Sequence, residues 1–510
     1  MTIKRIIFLF VFMVLGKSSF AQYHDANWIV SGSYLGQGYN VKIYFQQTIG
    51  LPNISLTNGQ IPFSYSNASI SDFQGNLLFI TNGIEVYDKN YQVIPGCIIQ
   101  NVYTVASALA GLNRIQSAIF LPWPGDTNKY VLFYAVPEIN TVNSGPCSGG
   151  WGGLATHLYY TVLDKTLNGG NGGVVSANNI AVSDTLVHAF GLAATKHANG
   201  RDWWILVKER CSSKFATILL TPAGLTTVFD QYVNPTFNDP SNGAISKFSP
   251  DGSLLGVIRM DNELLFYQFD RCTGLLSDPL MLSNPFNEGY FEFSSNSRFL
   301  YRGEGNVSTQ TGQYDLSLYY QPNGVLNSLR YVDPNVPDTG DCGQGVGTAS
   351  AAQFPALAPN SKIYWGHPFS CNLSVINYPD SLDTLCQMEY NNVILPFGHV
   401  GSLPYHPNYR LGPITGSVCD SLTNVHELLA QDISVYPNPA KDNLFITSSR
   451  SLNETVITLF NIHSQILLQQ SPGFGNNFEL TIPADIDTGI YMLRVQSKEG
   501  VVTKKIVIGK

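Results

Sequence analysis

The chain has 510 residues, enough for several domains and a large buried core. Apolar residues make up 44% of it, which excludes a disordered chain, whereas charged residues make up 13%, against about 25% in an average soluble protein. A net charge of −8 without a basic run argues against nucleic acid as a partner, and the scarcity of charge favours short strands joined by polar turns.

The N-terminus has the features of a secretory signal peptide. Lys4 and Arg5 form a positive n-region, ten apolar residues follow, and a small-x-small sequence ends at Ala21. We expect cleavage between Ala21 and Gln22, so the signal peptide comprises residues 1–21. The apolar run is shorter than the roughly 20 residues that span a bilayer, and no later run reaches 18, so no transmembrane segment is expected in the mature chain.

A repeat fills the middle of the sequence. Its two clearest copies begin at Gly243 and Gly289, and each has a short apolar strand, a polar turn and a second apolar strand. Weaker copies cover residues 68–80, 117–134, 192–207 and 354–365. Four short strands in about 45 residues is the period of a WD40-like propeller blade. Six copies are therefore visible.

Both ends of this region contribute to a seventh blade. Leu403–His406 resembles a first blade strand without a partner after it, whereas Asn27–Ser31 and Val41–Phe45 resemble inner strands without a first strand before them. We predict a seven-bladed β-propeller over residues 22–412. Six or eight blades remain open, because the spacing of some copies leaves room for insertions such as the loop at 143–153.

A linker and a small β-sandwich are predicted after the propeller. Residues 413–431 show no clear alternation, and 432–510 form a compact unit of about seven alternating strands, which is typical of an Ig-like sandwich. The fold class is therefore all-β. The predicted strands of the last unit are 433–436, 443–447, 455–460, 465–468, 477–482, 490–495 and 501–508.

The C-terminal unit resembles the type A sorting domain of the type IX secretion system. The opening motif contains Tyr436, Pro437, Asn438 and Pro439, and the later motifs contain Gly489 and Tyr491 and then Lys505. The resemblance implies that the Bacteroidota secretion machinery is a partner and carries the protein across the outer membrane. It also implies that the sorting domain is then removed, leaving a cargo that is extracellular or attached to the outer-membrane surface.

The propeller resembles the uncharacterised propeller regions of large surface proteins from the same bacteria. The similarity lies in the segments 70–79, 158–170 and 199–205, which contain strand and turn residues. This group has no activity to transfer, so the resemblance supports the fold only.

Motifs for common reactions are not found in the sequence. There is no phosphate-binding G-x-x-x-x-G-K-[ST] loop and no G-x-S-x-G elbow. His426 and Glu427 begin a zinc-protease motif that lacks its second histidine, and the loop at 164–169 lacks the bidentate carboxylate of a calcium loop. We therefore predict no cofactor and no metal, and assign no catalytic residue.

Tryptophans, histidines and cysteines give weaker indications. Trp203 and Trp204 are adjacent in one strand, so they point to opposite sheet faces, and at least one should lie between blades. Trp123 and Trp151 could stack on sugar rings, and His367 and His399 lie near predicted blade ends. Eight cysteines permit disulfides in an exported protein, with Cys371–Cys386 and Cys342–Cys371 as two plausible pairs.

Three functional hypotheses follow from this organisation, the third being a structural part of a surface or adhesion layer. We favour a non-enzymatic binding or interaction module, with an extracellular glycan or protein as the ligand. The alternative is a secreted hydrolase or lyase acting on polysaccharide or peptide at the propeller mouth. A cluster of carboxylates, or a carboxylate with histidine and arginine, converging at one mouth of the channel would favour the enzyme.

Overall fold

The structure is a computed structural model, and it describes most of the chain after the predicted signal peptide. The described residues are 22–30, 39–46, 50–97, 111–112, 114–136, 155–187, 191–209, 212–233, 244–259, 263–283, 289–304, 311–333, 353–366, 371–396, 403–417, 419–420, 433–461, 466–484, 486–497 and 500–509. By their contacts they form two compact units, one ending at Leu411 and one that contains residues 412–510 together with Lys196–Asp202.

Seven antiparallel sheets form the first unit, and they are the seven predicted blades. In each sheet, strands consecutive in sequence are neighbours in space, because short polar turns return the chain directly beside itself. The first three blades contain β1 (Asn27–Val30), β2 (Val41–Tyr44) and β3 (Asn53–Leu56); β4 (Ala68–Ser71), β5 (Leu77–Thr81) and β6 (Val86–Asp88); and β7 (Ala118–Pro122), β8 (Lys129–Tyr134), β9 (Ala155–Asp164) and β10 (Gly173–Val187).

Each of the remaining four blades has four described strands. They are β11 (Ala193–Lys196), β12 (Trp203–Lys208), β13 (Lys214–Thr221) and β14 (Gly224–Tyr232); β15 (Ala244–Phe248), β16 (Leu254–Arg259), β17 (Glu263–Phe269) and β18 (Leu276–Ser283); β19 (Gly289–Phe293), β20 (Phe299–Glu304), β21 (Thr311–Asp315) and β22 (Arg330–Asp333); and β23 (Gln353–Leu357), β24 (Ile363–Gly366), β25 (Asn372–Ile376) and β26 (Met388–Ile394). Single helical turns α1 (Leu167–Gly170) and α2 (Gly324–Asn327), and 3-10 turns at Leu316–Leu318 and Asp383–Cys386, lie in the connections.

The polar turn of the repeat is built in the same way in the two clearest copies. The Ser249 hydroxyl accepts a hydrogen bond from the Leu254 amide (3.0 Å), and the Ser294 hydroxyl accepts one from the Phe299 amide (2.8 Å). A serine that bonds the backbone ahead of it stabilises a tight turn. The sequence repeat therefore corresponds to a repeated hairpin.

Buried side chains join every neighbouring pair of blades, so the ring closes. Separate clusters lie between blades one and two, four and five, five and six, six and seven, and seven and one, whereas one large cluster joins blades two, three and four. Trp203 and Trp204 are both buried and pack in different clusters, one toward blade three and one toward blade five. The expectation that at least one of them lies between blades is confirmed for both.

The closing segment, residues 403–410, differs from the prediction in one respect. Leu403–His406 was expected as a first blade strand, but the structure assigns no strand there. Pro404 and Pro407 have no amide hydrogen to contribute to a ladder, which is a physical reason for the difference. The segment is held by side chains instead: Leu403 packs with the core of blades seven and one, and the Tyr409 hydroxyl donates to the Phe120 carbonyl (2.8 Å).

The C-terminal unit is an Ig-like, nearly closed β-sheet with its own core. Its strands are β27 (Ile433–Tyr436), β28 (Asn443–Phe460), β29 (Ile466–Thr481), β30 (Gly489–Ser497) and β31 (Gly500–Ile508). Five strands replace the seven expected, because β28 and β29 each run continuously through two of the predicted segments. Register shifts between Thr447 and Thr455 divide β28 into a half that pairs β27 and a half that pairs β30.

The cysteine pairing expected between Cys371 and Cys386 is wrong. Cys371 is disulfide-bonded, whereas Cys386 is a free thiol buried between blades six and seven. Cys386 ends a 3-10 turn, and its carbonyl accepts a hydrogen bond from the Tyr378 amide (2.9 Å). Its side chain is enclosed by the apolar core of these two blades, which is the physical reason that it is a free thiol. Cys342, the other expected partner, lies outside the described residues. Within the described ranges, no helix is long and apolar enough to cross a membrane.

Candidate functional site

One cavity of about 260 Å³ lies at the inner edge of the ring. Its wall contains residues from the first strands of blades four to seven, the residues that precede β7, and the closing segment. First strands of successive blades can share one cavity only if they face a common axis. The cavity is therefore central to the propeller, and the closing segment forms one side of it.

A buried ion pair crosses the cavity wall between blades five and six. Lys247 Nζ lies 2.7 Å from Glu292 Oε2, and both side chains are more than nine-tenths buried. Lys247 also donates to the Pro355 carbonyl (2.7 Å), while Glu292 accepts from the Leu357 amide (3.2 Å). Both charges thus have protein partners, as buried ions require. The two residues occupy the fourth position of β15 and of β19.

A second ion pair joins the two ends of the propeller. The Arg410 guanidinium donates to both carboxylate oxygens of Asp25, at 2.7 and 2.6 Å, and also to the Gln22 carbonyl at 3.1 Å. Burial tends to raise the pKa of Asp25, but the charge and hydrogen bonds of Arg410 outweigh it, so the pKa is lowered. The Asp25 carboxylate is therefore ionised and already bound at neutral pH.

The imidazole ring of His406 lies beside the ion pair of Asp25 and Arg410. Neither nitrogen is exposed, and neither has a hydrogen-bond partner among the described residues. The imidazole is stacked on Trp28 at a centroid distance of 6.4 Å and is tilted against Tyr409 at 6.0 Å. Burial lowers the pKa of His406 to about 4, because the attraction of Asp25 does not compensate for lost hydration and Arg410 repels the proton. At neutral pH the ring is uncharged.

Gln116 and Tyr405 add further polar groups to the wall. Gln116 is 7% exposed, and its side-chain amide donates to the Ser246 carbonyl (3.0 Å), but its Oε1 atom is buried without a partner. Tyr405 is a neutral hydroxyl, since burial and the negative charge of Glu292 raise its pKa. The wall therefore combines paired charges with uncharged polar side chains.

The charged groups of the wall are paired, and its histidine is neutral at pH 7. A general base works best when its pKa lies near the working pH, and the pKa of the His406 imidazole is well below neutrality. Each carboxylate of the wall is engaged by a cation. In the part of the chain that the structure describes, no group of three or more histidine, cysteine, aspartate or glutamate side chains could hold a metal ion.

The sequence reasoning missed this site, although one signal was present. Lys247 and Glu292 are opposite charges at equivalent positions of the first strands of adjacent repeat copies. A charge inside an apolar strand requires a partner, and equivalent positions in adjacent blades lie side by side. No comparable pattern marks Gln116, which precedes its strand and has a backbone φ of 51°.

Of the other residues discussed from the sequence, some form hydrogen bonds away from the cavity and some lie outside the described residues. The Trp123 indole donates to the Pro222 carbonyl (3.3 Å), and the Asp164 carboxylate accepts from the Thr166 amide (2.8 Å) within its turn. Gln22 is described, and its carbonyl accepts from Arg410. Outside the described residues lie Ala21, Trp151, His367, His399, the linker motif at 426–427 and the loop at 143–153.

The sorting motifs meet at one edge of the C-terminal unit. Asn438 donates to the Lys505 carbonyl (3.1 Å) and accepts from the Val507 amide (2.8 Å), so the first motif is bound to the last strand. Tyr491 is buried and donates to the Asp487 carbonyl (2.6 Å), whereas Tyr436 is about half exposed. Ala440 pairs with Ile508 in a parallel bridge that continues the contact.

The remaining motif residues belong to the same strands or flank them. Pro437 and Pro439 follow cis peptide bonds on either side of Asn438. Gly489 begins β30, and Lys505 is exposed on β31.

Residues 434–509 match the family described as the secretion system C-terminal sorting domain. This part of the chain is a type IX sorting domain. The resemblance stated from the motifs is confirmed. The protein is a secreted or outer-membrane surface protein whose propeller precedes the sorting domain in the sequence. No curated protein matches the sequence.

Solved structures that are similar to the chain share little sequence with it. They include a candidate 6-phosphogluconolactonase from Bacteroides fragilis, with 13% identity and a TM-score of 0.42 over 75% of this chain and 97% of that one. A protein of unknown function from Desulfotomaculum acetoxidans has 14% identity and a TM-score of 0.39 over 75% and 99%. PorZ, a surface component of the type IX secretion system of Porphyromonas gingivalis, has 10% identity and a TM-score of 0.28 over 96% and 75%. No activity is transferred from them.

Proposed function

We propose that the protein is an extracellular binding module whose ligand site is the central cavity of the propeller. The observation that carries this proposal is the chemistry of the wall. Two ion pairs and the neutral side chains of Gln116, Tyr405 and His406 converge with apolar side chains on one cavity of about 260 Å³. A concave site with apolar walls and a few converging polar groups is the usual form of a ligand-binding site.

For the domain organisation, we propose the bounds that the sequence predicts. A signal peptide covers residues 1–21 and is cleaved between Ala21 and Gln22, the propeller covers 22–412, a linker covers 413–431, and the sorting domain covers 432–510. Tyr436, Pro437, Asn438 and Pro439, with Gly489, Tyr491 and Lys505 (the later motifs), are the residues that we assign to recognition or folding of the sorting domain during export.

The test is a binding survey with the whole exported protein. Glycan and peptide arrays are probed with the wild type, with His406→Phe and with Gln321→Leu, which changes an exposed glutamine outside the cavity. We expect a ligand class that the wild type and Gln321→Leu retain and His406→Phe loses. A ligand retained equally by all three proteins would contradict binding in the cavity.

A hydrolase or lyase acting on polysaccharide or peptide remains the second candidate. The observation in its favour is that Asp25, His406 and Arg410 converge on one cavity, which is the kind of cluster that an enzyme of this type requires. The same proteins are therefore incubated with a panel of polymeric substrates. Turnover that is lost in His406→Phe would favour this candidate over the binding module.

A further inference from the structure

We propose that the central cavity is a blind pocket that opens on the turn face of the propeller, so that it accepts a small molecule or the end of a chain and not the interior of a polymer. The turn face is the face that carries the turns between the first and second strands of blades five, six and seven, at residues 249–252, 294–297 and 358–361. This inference rests on the proposed function and specifies how its ligand enters.

The exposure of the cavity wall changes along its length. The first strands of these three blades run toward the turn face, so wall residues near their beginnings mark one end of the cavity and wall residues that follow them mark the other. Near the beginnings, Ile245 and Phe354 are only 8% and 4% exposed. At the turn end Ser361 is exposed, and four other wall residues are half-buried, namely Pro250, Ser295, Pro359 and Asn408. Solvent therefore reaches the wall from the turn face.

Side chains from different sides of the ring meet at the opposite end of the cavity. Ile115 precedes β7 of blade three, yet it packs in the apolar cluster of blades five and six. The Phe354 ring of blade seven contacts the ring of Tyr65, which precedes blade two, at a centroid distance of 5.7 Å. It also contacts the ring of Tyr290 in blade six at 4.6 Å. Among the described residues, this end of the cavity is therefore closed.

The closing segment forms one side of the opening. The Asn408 side-chain amide donates to the Pro250 carbonyl in the turn of blade five (2.7 Å), so the segment covers the turn face on that side. The turns of blades six and seven contribute Ser295 and Pro359 to the wall on the other side. The opening therefore lies between Asn408 and these two turns.

A pocket with a single opening selects ligands by their ends. The interior of a polymer continues in two directions, so both arms would have to leave through the same opening. The volume of about 260 Å³ lies just below the range of roughly 300–1,000 Å³ that is usual for pockets of drug-sized ligands. It therefore has room for a small molecule or one terminal unit, and none for a chain that enters and returns.

The experiment measures access to a thiol inside the cavity of the whole exported protein. Ala356→Cys places this thiol in the wall, on β23, and Gln321→Cys places a reference thiol on the exposed surface. The wild type gives the background, since Cys97 and Cys386 are buried free thiols. The probes are methyl methanethiosulfonate and two maleimide polyethylene glycols of equal mass. One polymer is linear with the maleimide at its end, and the other has two arms joined at the maleimide.

We expect methyl methanethiosulfonate and the linear polymer to label Ala356→Cys. The two-arm polymer should react at least about tenfold more slowly than the linear one, which corresponds to about 1.4 kcal/mol in the barrier to entry. At Gln321→Cys the two polymers should react at similar rates, because an exposed thiol is reached without entering a pocket.

Two further changes, each combined with Ala356→Cys, locate the opening. Pro359→Trp places a large side chain at the opening and should slow labelling by the linear polymer about tenfold. The matched control is Thr127→Trp, in an exposed turn of blade three that is not part of the wall, and it should leave the rate unchanged. Asn408→Ala shortens a side chain at the opening and removes its bond to Pro250, so it should speed labelling.

The outcomes separate the inference from the proposed function. Labelling that neither Pro359→Trp nor Asn408→Ala changes would place the opening elsewhere, which overturns the inference and leaves a binding cavity. Equal rates of the two polymers at Ala356→Cys would overturn entry by chain ends. If Pro359→Trp does not fold, Asn408→Ala provides the same test. Labelling of Ala356→Cys only after unfolding in urea would show that no ligand reaches the cavity, which overturns both proposals.

Discussion

At the scale of single residues, the pKa of the His406 imidazole depends strongly on the groups that surround it. It lies among Trp28, Tyr409, Asp25 and Arg410, and burial lowers its pKa from 6.5 to about 4. Its ordinary pKa applies in the unfolded chain. Between these two values the unfolded chain binds a proton that the folded protein does not bind.

We therefore expect the free energy of unfolding to fall as the pH drops from about 6.5 toward 4. The contribution of the neutral His406 ring should be fully present above pH 6.5. The loss approaches about 3 kcal/mol, since each unit of pKa difference corresponds to about 1.4 kcal/mol. The measurement is urea unfolding at several pH values, followed by tryptophan fluorescence. All six tryptophans precede residue 366, so the signal reports the propeller.

The matched control for this prediction is His406→Phe, whose free energy of unfolding should depend less on pH in that window. The stabilisation that Asp25 provides is constant in this window and changes only at lower pH, because its lowered pKa lies below 3.8. The same slope in both proteins would show that His406 is not the responsible group. Its neighbours could not be inferred from the sequence, because they come from both ends of the propeller.

At the scale of elements, the fit between neighbouring blades depends on one small residue in β16. A Cβ atom added at Gly256 would lie 2.8 Å from Phe291 Cε2 and 3.1 Å from Phe266 Cε1. Phe291 belongs to the next blade. The absence of a side chain at Gly256 therefore allows that ring to pack against the strand.

Gly256→Ala should destabilise the propeller by about 1–3 kcal/mol, because the added methyl group overpacks the contact between blades five and six. Urea unfolding followed by tryptophan fluorescence measures the change. Gly50→Ala is the control, since an added Cβ there meets no atom within 4 Å. The double change Gly256→Ala with Phe291→Leu should recover part of the loss, and its failure to do so would contradict overpacking.

In the sorting domain, Asn438 joins the first motif to β31 through two hydrogen bonds. Asn438→Ala should destabilise this unit by about 1–2 kcal/mol and lower the exported fraction of the protein. The measurement compares cell-associated and extracellular protein in a host with a type IX secretion system. Asn476→Ala, at an exposed asparagine of β29, is the control. Normal export of Asn438→Ala would show that this link is dispensable.

Element positions were predictable where a pattern was strong. The alternation in Ile433–Tyr436 gave the observed bounds of β27, and the turn around Ser249 matched a hairpin. The predicted strand at Leu403–His406 is absent from the structure. Its sequence resembles that of other first strands, but Pro404 and Pro407 lack the amide hydrogens that a strand ladder needs. The continuity of β28 and β29 could not be seen either, since polar residues at their bends resemble turns.

At the scale of the whole molecule, the ring is closed by residues that are 385 positions apart. The pair of Asp25 and Arg410 joins the segment before β1 to the segment after blade seven. The number of blades was predictable because each blade repeats the same hairpins. This pair was not, because a repeat pattern says nothing about the irregular segments at its two ends.

Arg410→Met should destabilise the propeller by about 3 kcal/mol at pH 7, because the buried Asp25 carboxylate would lose its partner. The contribution of the pair is present above the ordinary pKa of Asp25 and lost as the pH falls through its lowered value. Tryptophan fluorescence in urea again measures it.

The control for the ring closure is Arg298→Met, which removes an arginine that is half exposed and paired with Asp315 at 2.8 Å. Exposed pairs contribute about 1 kcal/mol or less, so the two variants should differ clearly. Equal effects would mean that the pair of Asp25 and Arg410 behaves as an ordinary surface contact and does not fasten the ring.

The proximity of Asp25 and Arg410 has a consequence for chain connectivity. Because the start and the end of the ring lie side by side, a short peptide could join them, and new termini could be opened in a connection between two other blades. Such a circular permutant retains every blade and every interface between blades. The position of the chain termini would then change the order of the blades in the sequence but not their order in the ring. The place where the ring is closed without a covalent bond could therefore be moved from blade to blade.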